Sequence, residues 1–269
     1  MSALWKDYEE FLAKNWEATL RVYDGVTLPI GYPENEQEFV LPILLDGNAH
    51  MSLSYKSGAD VESALGCMLL GMDKLFTCRQ LGVTVHNIHS KLVTTELQHL
   101  SVFADSYDSS ALDAVIRIKD EISKRSKILS AEHVQSFEAL RFRTLKENSI
   151  FNLNELENDE YVKIVQGPYG GLNNSLHILY GVAPSDLDTL LKYVEIFRVA
   201  PKCSVQLLIV GYALAGTDSY KHLVREVAYT GRFTGAYEIS TCNKSGTSQD
   251  WKVPTVLSTD VLEYIHRKG

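Results

Sequence analysis

The sequence predicts an α/β (or α+β) protein, a mixed β-sheet covered by helices in a three-layer or two-layer sandwich. Three observations predict it. Ala59–Leu81 places Val61, Ala64, Leu65, Met68, Leu69, Met72, Leu75 and Phe76 at the i, i+3, i+4 spacing of a buried helix. Ser204–Leu214 is apolar on both faces, as a strand covered from both sides must be. Strand-like and helix-like segments alternate through the C-terminal part, the order that layers helices on a sheet.

The elements follow in order. Residues 2–16 read as an amphipathic helix, with Ser2 in the capping position and Leu4, Tyr8, Leu12 and Trp16 as its apolar stripe. Glu17–Tyr23 looks extended. Glu38–Leu45 and His50–Tyr55 flank Asp46-Gly47-Asn48, which signals a hairpin. In the core helix, Gly66, Cys67 and Gly71 keep one side slim enough for close approach, and Gly82 reads as its C-cap. Val83–Ile88 follows as a short strand. Ser110–Lys127 and Ser130–Leu145 read as two helices, each opened by a serine.

Asn148–Glu160 holds four asparagines and the acids Glu155, Glu157, Asp159 and Glu160. It marks the expected seam, residues 147–160, between an α+β part (residues 1–146) and an α/β part (residues 161–269), with one continuous domain as the alternative. Beyond it come a strand-like Tyr161–Gln166, a glycine-rich loop, and Leu176–Ala183 as another strand. A helix then runs to Arg198, capped by Ser185 with Asp188. Thr217–Tyr229 reads as helix, Arg232–Cys242 and Trp251–Leu257 as strands, and Ser258 opens a last helix to Lys268.

Composition narrows the class. The chain has 269 residues, 45% of them apolar and 22% charged, enough for a sizeable core. Its net charge of −8 gives no global attraction to nucleic acid or anionic lipid. Cys67, Cys78, Cys203 and Cys242 form no Cys-x-x-Cys. Eleven residues of helix would hold Cys67 and Cys78 about 16 Å apart, too far for a disulfide. Reduced cysteines and an N-terminus without an apolar signal core predict a cytoplasmic protein. The longest near-apolar run, Leu207–Ala215, is too short to span a bilayer, so no membrane association is expected.

Four constellations could carry chemistry. The loop Gln166–Ser175 contains Gly167, Tyr169, Gly170, Gly171 and Asn173, a permissive backbone that turns a hairpin or forms a lip over a ligand. No Gly-Lys-Ser/Thr and no Gly-x-Gly-x-x-Gly occurs, and the residues after the loop read as strand, which disfavours a nucleotide loop.

The second is basic. Between Arg117 and Lys146, eight basic residues face four acids. Arg117, Lys124, Arg125, Lys127, Arg141 and Arg143 could form a positive face for nucleic acid or an acidic protein, or simply a solvated helix pair. The third is the C-terminal hairpin. Asp250 and Lys252 share a strand face, and Glu238 could join them across the turn. Two carboxylates holding Mg²⁺ beside a lysine is the chemistry of phosphodiester cleavage. This arrangement resembles the hairpin of the PD-(D/E)xK nucleases, with Glu226 in place of a helical acid. The resemblance implies a Mg²⁺-dependent nuclease with Glu238 and Asp250 as metal ligands. Asp250 at a strand edge, Pro254, and no strand after the last helix depart from that pattern. The fourth, His86-Asn87-Ile88-His89, places the histidines on opposite strand faces, unable to share a metal. His50, His133, His177, His222 and His266 look scattered and unpartnered. Nucleophile motifs such as Gly-x-Ser-x-Gly are missing.

The functional expectation is therefore a soluble intracellular binding protein, a subunit or partner in an assembly, engaging a protein partner and requiring no cofactor. Its alternative is a metal-dependent nuclease or phosphodiesterase using Glu238, Asp250 and Lys252. A third reading is an anionic ligand at the glycine loop.

Overall fold

Burial of strands on both sides organises the structure, a computed structural model that describes residues 3–14, 26–33, 43–45, 50–76, 81–92, 95–147 and 173–268. β7 (Asn174–Val182) is buried at every position and β8 (Val205–Tyr212) at all but the last. In β7, Leu176, Ile178 and Tyr180 enter one core and Leu179 the other; in β8, Leu208 and Val210 oppose Val205, Leu207 and Ile209. The period of two therefore feeds two cores from a single strand, and such strands belong mid-sheet.

The other strands are β1 (Val26–Leu28), β2 (Tyr32–Pro33), β3 (Ile43–Leu45), β4 (Met51–Tyr55), β5 (Leu81–Asn87), β6 (Phe103–Asp108), β9 (Tyr229–Phe233), β10 (Glu238–Asn243) and β11 (Ser248–Lys252). Among the described residues, β1 and β3 form a small antiparallel pair, and nine strands form one mixed sheet in the order β2-β11-β10-β9-β4-β8-β7-β5-β6. The run from β9 to β6 is parallel throughout. β10, β11 and β2 extend it antiparallel. β8 and β7 lie between β4 and β5, so the sheet interleaves strands from both sides of residues 148–172.

Helices cover both faces, giving three layers. On one side lie α1 (Ala3–Leu12), α2 (Val61–Leu75) and α8 (Ser258–Lys268). On the other lie α3 (Ala111–Ala131), α4 (Phe137–Glu147), α5 (Pro184–Leu191), α6 (Glu195–Val199) and α7 (Asp218–Glu226). α2 is almost wholly buried. Its slim side works as its glycines suggest: a Cβ on Gly71 would stand 2.5 Å from the Pro29 ring, and one on Gly66 would press on Val256 at 3.2 Å. α8 is locked to α2 by Lys268 Nζ, 2.7 Å from the buried Asp73 carboxylate, and to α1 by Arg267 on Glu9 at 2.8 Å. Ser110 and Asp113 form the capping box of α3, whose buried stripe is Ala111, Ala114, Val115, Ile118, Ile122, Arg125 and Leu129.

Several boundaries differ from the sequence expectation, each for a physical reason. β3 and β4 are not a hairpin: β3 pairs with β1, while β4 lies between β8 and β9 because both its faces are buried. Among the described residues β7 is flanked on its two sides by β5 and β8, both parallel to it. Gly82 lies inside β5 rather than capping a helix. Ser130 falls within α3, and Ser136 caps the next helix by accepting from Ala139 N at 3.1 Å. Pro184, at the first turn, moves the start of α5 ahead of Ser185, and Asp186 accepts from Ala183 N at 2.8 Å. Residues 232–242 form two strands with a turn, not one. α7 ends at Glu226, and Tyr229 already belongs to β9. Glu17–Tyr23, Cys78, Asn148–Glu160 and Tyr161–Gln166 lie outside the described residues.

Among the described residues Cys67, Cys203 and Cys242 are free thiols. No described helix is long and apolar enough to cross a membrane.

Candidate functional site

Open α/β sheets bind ligands at the carboxyl ends of their strands, where successive connections leave in opposite directions. Here that point is β4. The chain leaves β4 through α2 over one face toward β5, and later returns through α7 over the other face to place β9 on the far side of β4. The carboxyl end of β4 leads through Lys56-Ser57-Gly58-Ala59-Asp60 into α2.

This turn is heavily self-bonded. Asp60 caps α2: Oδ1 accepts from Ser63 N at 3.0 Å and Oδ2 from Ser63 Oγ at 2.8 Å. Asp60 N donates to Ala236 O at 2.9 Å, so the β9–β10 turn is tied to the helix start, and Ala59 N donates to Lys56 O at 3.2 Å. The loop after β8 folds over β4, with Ala213 N on Tyr55 O at 2.8 Å and Ala215 N on Ser54 Oγ at 3.2 Å. Gly58 sits at φ +89° with open space around it. Tyr55 and Tyr212 stack edge to face at 5.7 Å, and Tyr212 is half exposed. Burial raises the Tyr180 phenol, and Glu62, Tyr55 and Asp60 raise it further. The end of the central strands is thus tyrosine-rich and acidic.

A second polar group lies under α3. Glu121 and Arg125 sit one turn apart and pair at 2.9 Å. Glu121 accepts from His177 Nε2 at 2.9 Å, and His177 Nδ1 is 3.0 Å from His86 Nε2. A carboxylate accepts, so His177 Nε2 is the donor to Glu121, and His177 Nδ1 and His86 Nε2 share one proton between them. Among the described residues the buried His86 Nδ1 has no hydrogen-bond partner. Burial, then the His177 and Arg117 charges, lowers His86 to about 3. Burial would raise Glu121, yet the His177 hydrogen bond and the Arg125 and His177 charges outweigh it and hold the carboxyl at about 2. Tyr107 stacks on His86 at 5.9 Å, and Arg117 lies 4.0 Å over the Tyr107 ring.

The residues singled out in the sequence fall as follows. Glu238 is opposite Lys252 in the β10–β11 register, and Asp250 is opposite Ser240. Cross-strand partners and i, i+2 neighbours share a face, so the three come together on one exposed side of the hairpin. Among the described residues no group of three or more histidine, cysteine or acidic side chains is placed to hold a metal ion. Glu226 pairs with Arg198 at 2.8 Å.

Of the basic set, Lys124 and Lys127 are exposed on α3, as is Arg117. Arg125 points inward: its Nη1 donates to Asn173 O at 2.7 Å and Cys203 O at 3.1 Å. Arg143 pairs with the Glu132 carboxylate and donates to Glu132 O at 2.8 Å. The Arg141 side chain lies outside the described residues, as do Gly167, Tyr169, Gly170 and Gly171. Asn173 offers its carbonyl to Arg125.

His177 was not among the partnered histidines expected from sequence, and the structure corrects this. Its partners are 91 and 56 residues away in the chain. One local signal existed: a lone histidine inside an otherwise apolar two-sided strand must find a polar partner. The β4–α2 turn left no such signal, since it lacks a phosphate-loop motif.

No protein-family model matches the chain, and no curated protein does. Solved structures do share its fold. ATPases 2 and 3 of EssC from Geobacillus thermodenitrificans superpose with a TM-score of 0.61 at 12% identity, covering 91% of this chain and 49% of theirs. The cytoplasmic domain of the type VII secretion ATPase EccC from Thermomonospora curvata gives 0.66 at 11% identity, over 89% of this chain and 30% of that one. The pCW3 conjugation coupling protein TcpA, in a monomer form with ATPγS, gives 0.52 at 14% identity, over 93% and 73%. The chain therefore spans about half of the EssC structure's length and less than a third of that of EccC.

Proposed function

We propose that this protein is a binding subunit of an intracellular assembly, engaging protein partners rather than carrying out a reaction of its own. The observation that carries this reading is the shared fold. Nearly the whole chain superposes on modules of larger secretion ATPases, one of them a cytoplasmic domain, and on a conjugation coupling protein. A fold that recurs as a part of larger machines supports a role as a part. Fold alone does not carry function, so the reading stands on its test. In lysate from cells expressing the tagged chain at native level, mild crosslinking and gradient sedimentation should place it in a species heavier than a free 269-residue chain. Sedimentation only as the free chain, with and without crosslinker, would remove the proposal.

A second reading, metal-dependent phosphodiester cleavage, rests on the common face of Glu238, Asp250 and Lys252. On that reading Lys124, Lys127 and Arg117 supply the contact with nucleic acid. Mg²⁺- or Mn²⁺-dependent cleavage of DNA or RNA that is lost in Asp250→Ala would establish it. No cleavage with either ion would end it.

A further inference from the structure

The fold of these neighbours raises the question of a nucleotide, and the β4–α2 turn is the place to ask it. A phosphate loop is a strand, then Gly-x-x-x-x-Gly-Lys-Ser/Thr, then a helix, with backbone N–H groups aimed at the phosphates and the helix dipole behind them. This turn has the strand, the helix and one positive-φ glycine, Gly58. Its chemistry is reversed. Where the helix begins there is no lysine; the residues are Asp60, Val61 and Glu62. The Asp60 carboxylate sits on the helix N-terminus, where an anion would be stabilised, and already takes the Ser63 N–H at 3.0 Å. The Ala59 and Asp60 N–H groups are spent on Lys56 O and Ala236 O. A triphosphate placed here would meet the Asp60 carboxylate at the helix start, an unfavourable like-charge contact.

We propose that the β4–α2 turn is a phosphate loop closed by the protein's own carboxylate, so that this chain keeps the ATPase fold without taking nucleoside triphosphate at that position. Asp60 does for α2 part of what a bound phosphate does for a helix in a nucleotide site: it takes the Ser63 N–H of the first turn and complements the dipole. The cap comes from the chain itself, so the sheet's central turn needs no ligand to complete it. This inference does not depend on the assembly reading, because a chain without nucleotide can still lack partners, and the two tests read different quantities.

The test uses the whole chain in thermal unfolding with millimolar Mg–ATP or ATPγS, and inorganic phosphate as the ionic control. The expected result is no rise in midpoint beyond the control. A nucleotide-specific rise that disappears in Lys56→Glu, which removes the basic side chain of the turn, would overturn the proposal. A rise that persists in Lys56→Glu and is left unchanged by Asp60→Ala places the nucleotide away from the turn and leaves the proposal standing, whereas one that grows when Asp60 is replaced shows the turn binding nucleotide and overturns it. A second arm reads the carboxylate itself. Asp60→Ala should lower the midpoint by about 2–4 °C, as loss of a working cap does in a chain of this size, and Asp60→Ser should restore most of it. If Asp60→Ala is neutral or stabilising, the carboxylate is not closing the turn and the proposal falls.

Discussion

The two faces of the sheet hold their long helices in different ways. α2 buries Val61, Leu65, Met68, Leu69 and Met72 in the apolar core it shares with that face of the sheet. α3 also buries an apolar stripe, but lays Arg117, Glu121 and Arg125 across a polar line made by Tyr107, His86 and His177. The first contact is non-directional and does not depend on protonation. The second depends on one carboxylate staying ionised and on an unbroken line of hydrogen bonds through two histidines. Removing volume should therefore break the α2 face, and removing or adding protons should break the α3 face.

The largest effect expected is on the α2 side. Leu69 is fully buried, and Leu69→Ala removes its transfer energy and leaves a cavity, a loss of about 3–4 kcal/mol. Chemical denaturation at pH 7 and pH 5.5 should give the same loss relative to wild type at each pH. A loss that changes markedly with pH would mean the α2 face is coupled to titration after all.

Acid should act through histidines and Glu121. The folded state lowers His86 to about 3 from an ordinary 6.5, so the stability owed to its neutral form is complete above pH 6.5 and is lost as pH falls toward 3. His50 behaves alike: burial lowers it to about 4, while Nε2 donates to Phe197 O and Nδ1 accepts from Leu207 N. Glu121 adds a second loss, as pH falls from 4.5 toward 2. Unfolding midpoints should decline below pH 6.5 and fall more steeply below 4.5. In His86→Phe the decline between pH 6.5 and 4.5 should be shallower, leaving the part due to His50. An unchanged slope would show that His86 is not buried in its neutral form.

Next in size is Glu121→Gln, which keeps the shape but takes away the charge that Arg125 and His177 face. Arg125 retains the Asn173 and Cys203 carbonyls, so the loss should be about 1–3 kcal/mol at pH 7 rather than that of a wholly stranded charge. The same variant should be nearly neutral at pH 2, where the wild-type carboxyl is itself half protonated. A full loss at both pH values would assign Glu121 a packing role only.

How much of this was legible in the sequence depends on the range of the forces involved. α2, α3 with Ser110, and the two-sided β8 were readable because their patterns are local: helical spacing, a capping serine, apolar residues on both faces. The β3–β4 hairpin was misread for the opposite reason. Asp46-Gly47-Asn48 is a good local turn signal, but burial of β4 on both sides, set by strands more than 150 residues away in sequence, assigns it to the parallel sheet. Gly82 likewise looked like a cap and is a strand residue, because its neighbours are β6 and Asn173 rather than solvent. The hairpin face of Glu238, Asp250 and Lys252 was readable, since cross-strand registers over a short turn are local. The His86–His177–Glu121 line was not, because each member comes from a different element.

The smallest expected effect separates local from non-local order on α3. Ser110 Oγ accepts from Asp113 N at 3.1 Å, and Asp113 reaches back to the Ser110 N–H, so both partners of this capping box lie within one exposed turn. Ser110→Ala should cost about 1 kcal/mol. That cost should be additive with Glu121→Gln, because the two sites lie three helical turns apart and share no partner. Measured in a double-mutant cycle, an interaction well above about 0.5 kcal/mol would mean that the cap sets the depth at which α3 lies on the sheet, and hence the reach of Glu121 to His177. Additivity would mean that the polar line is held by the sheet and the carbonyls around Arg125, with the cap stabilising the helix alone.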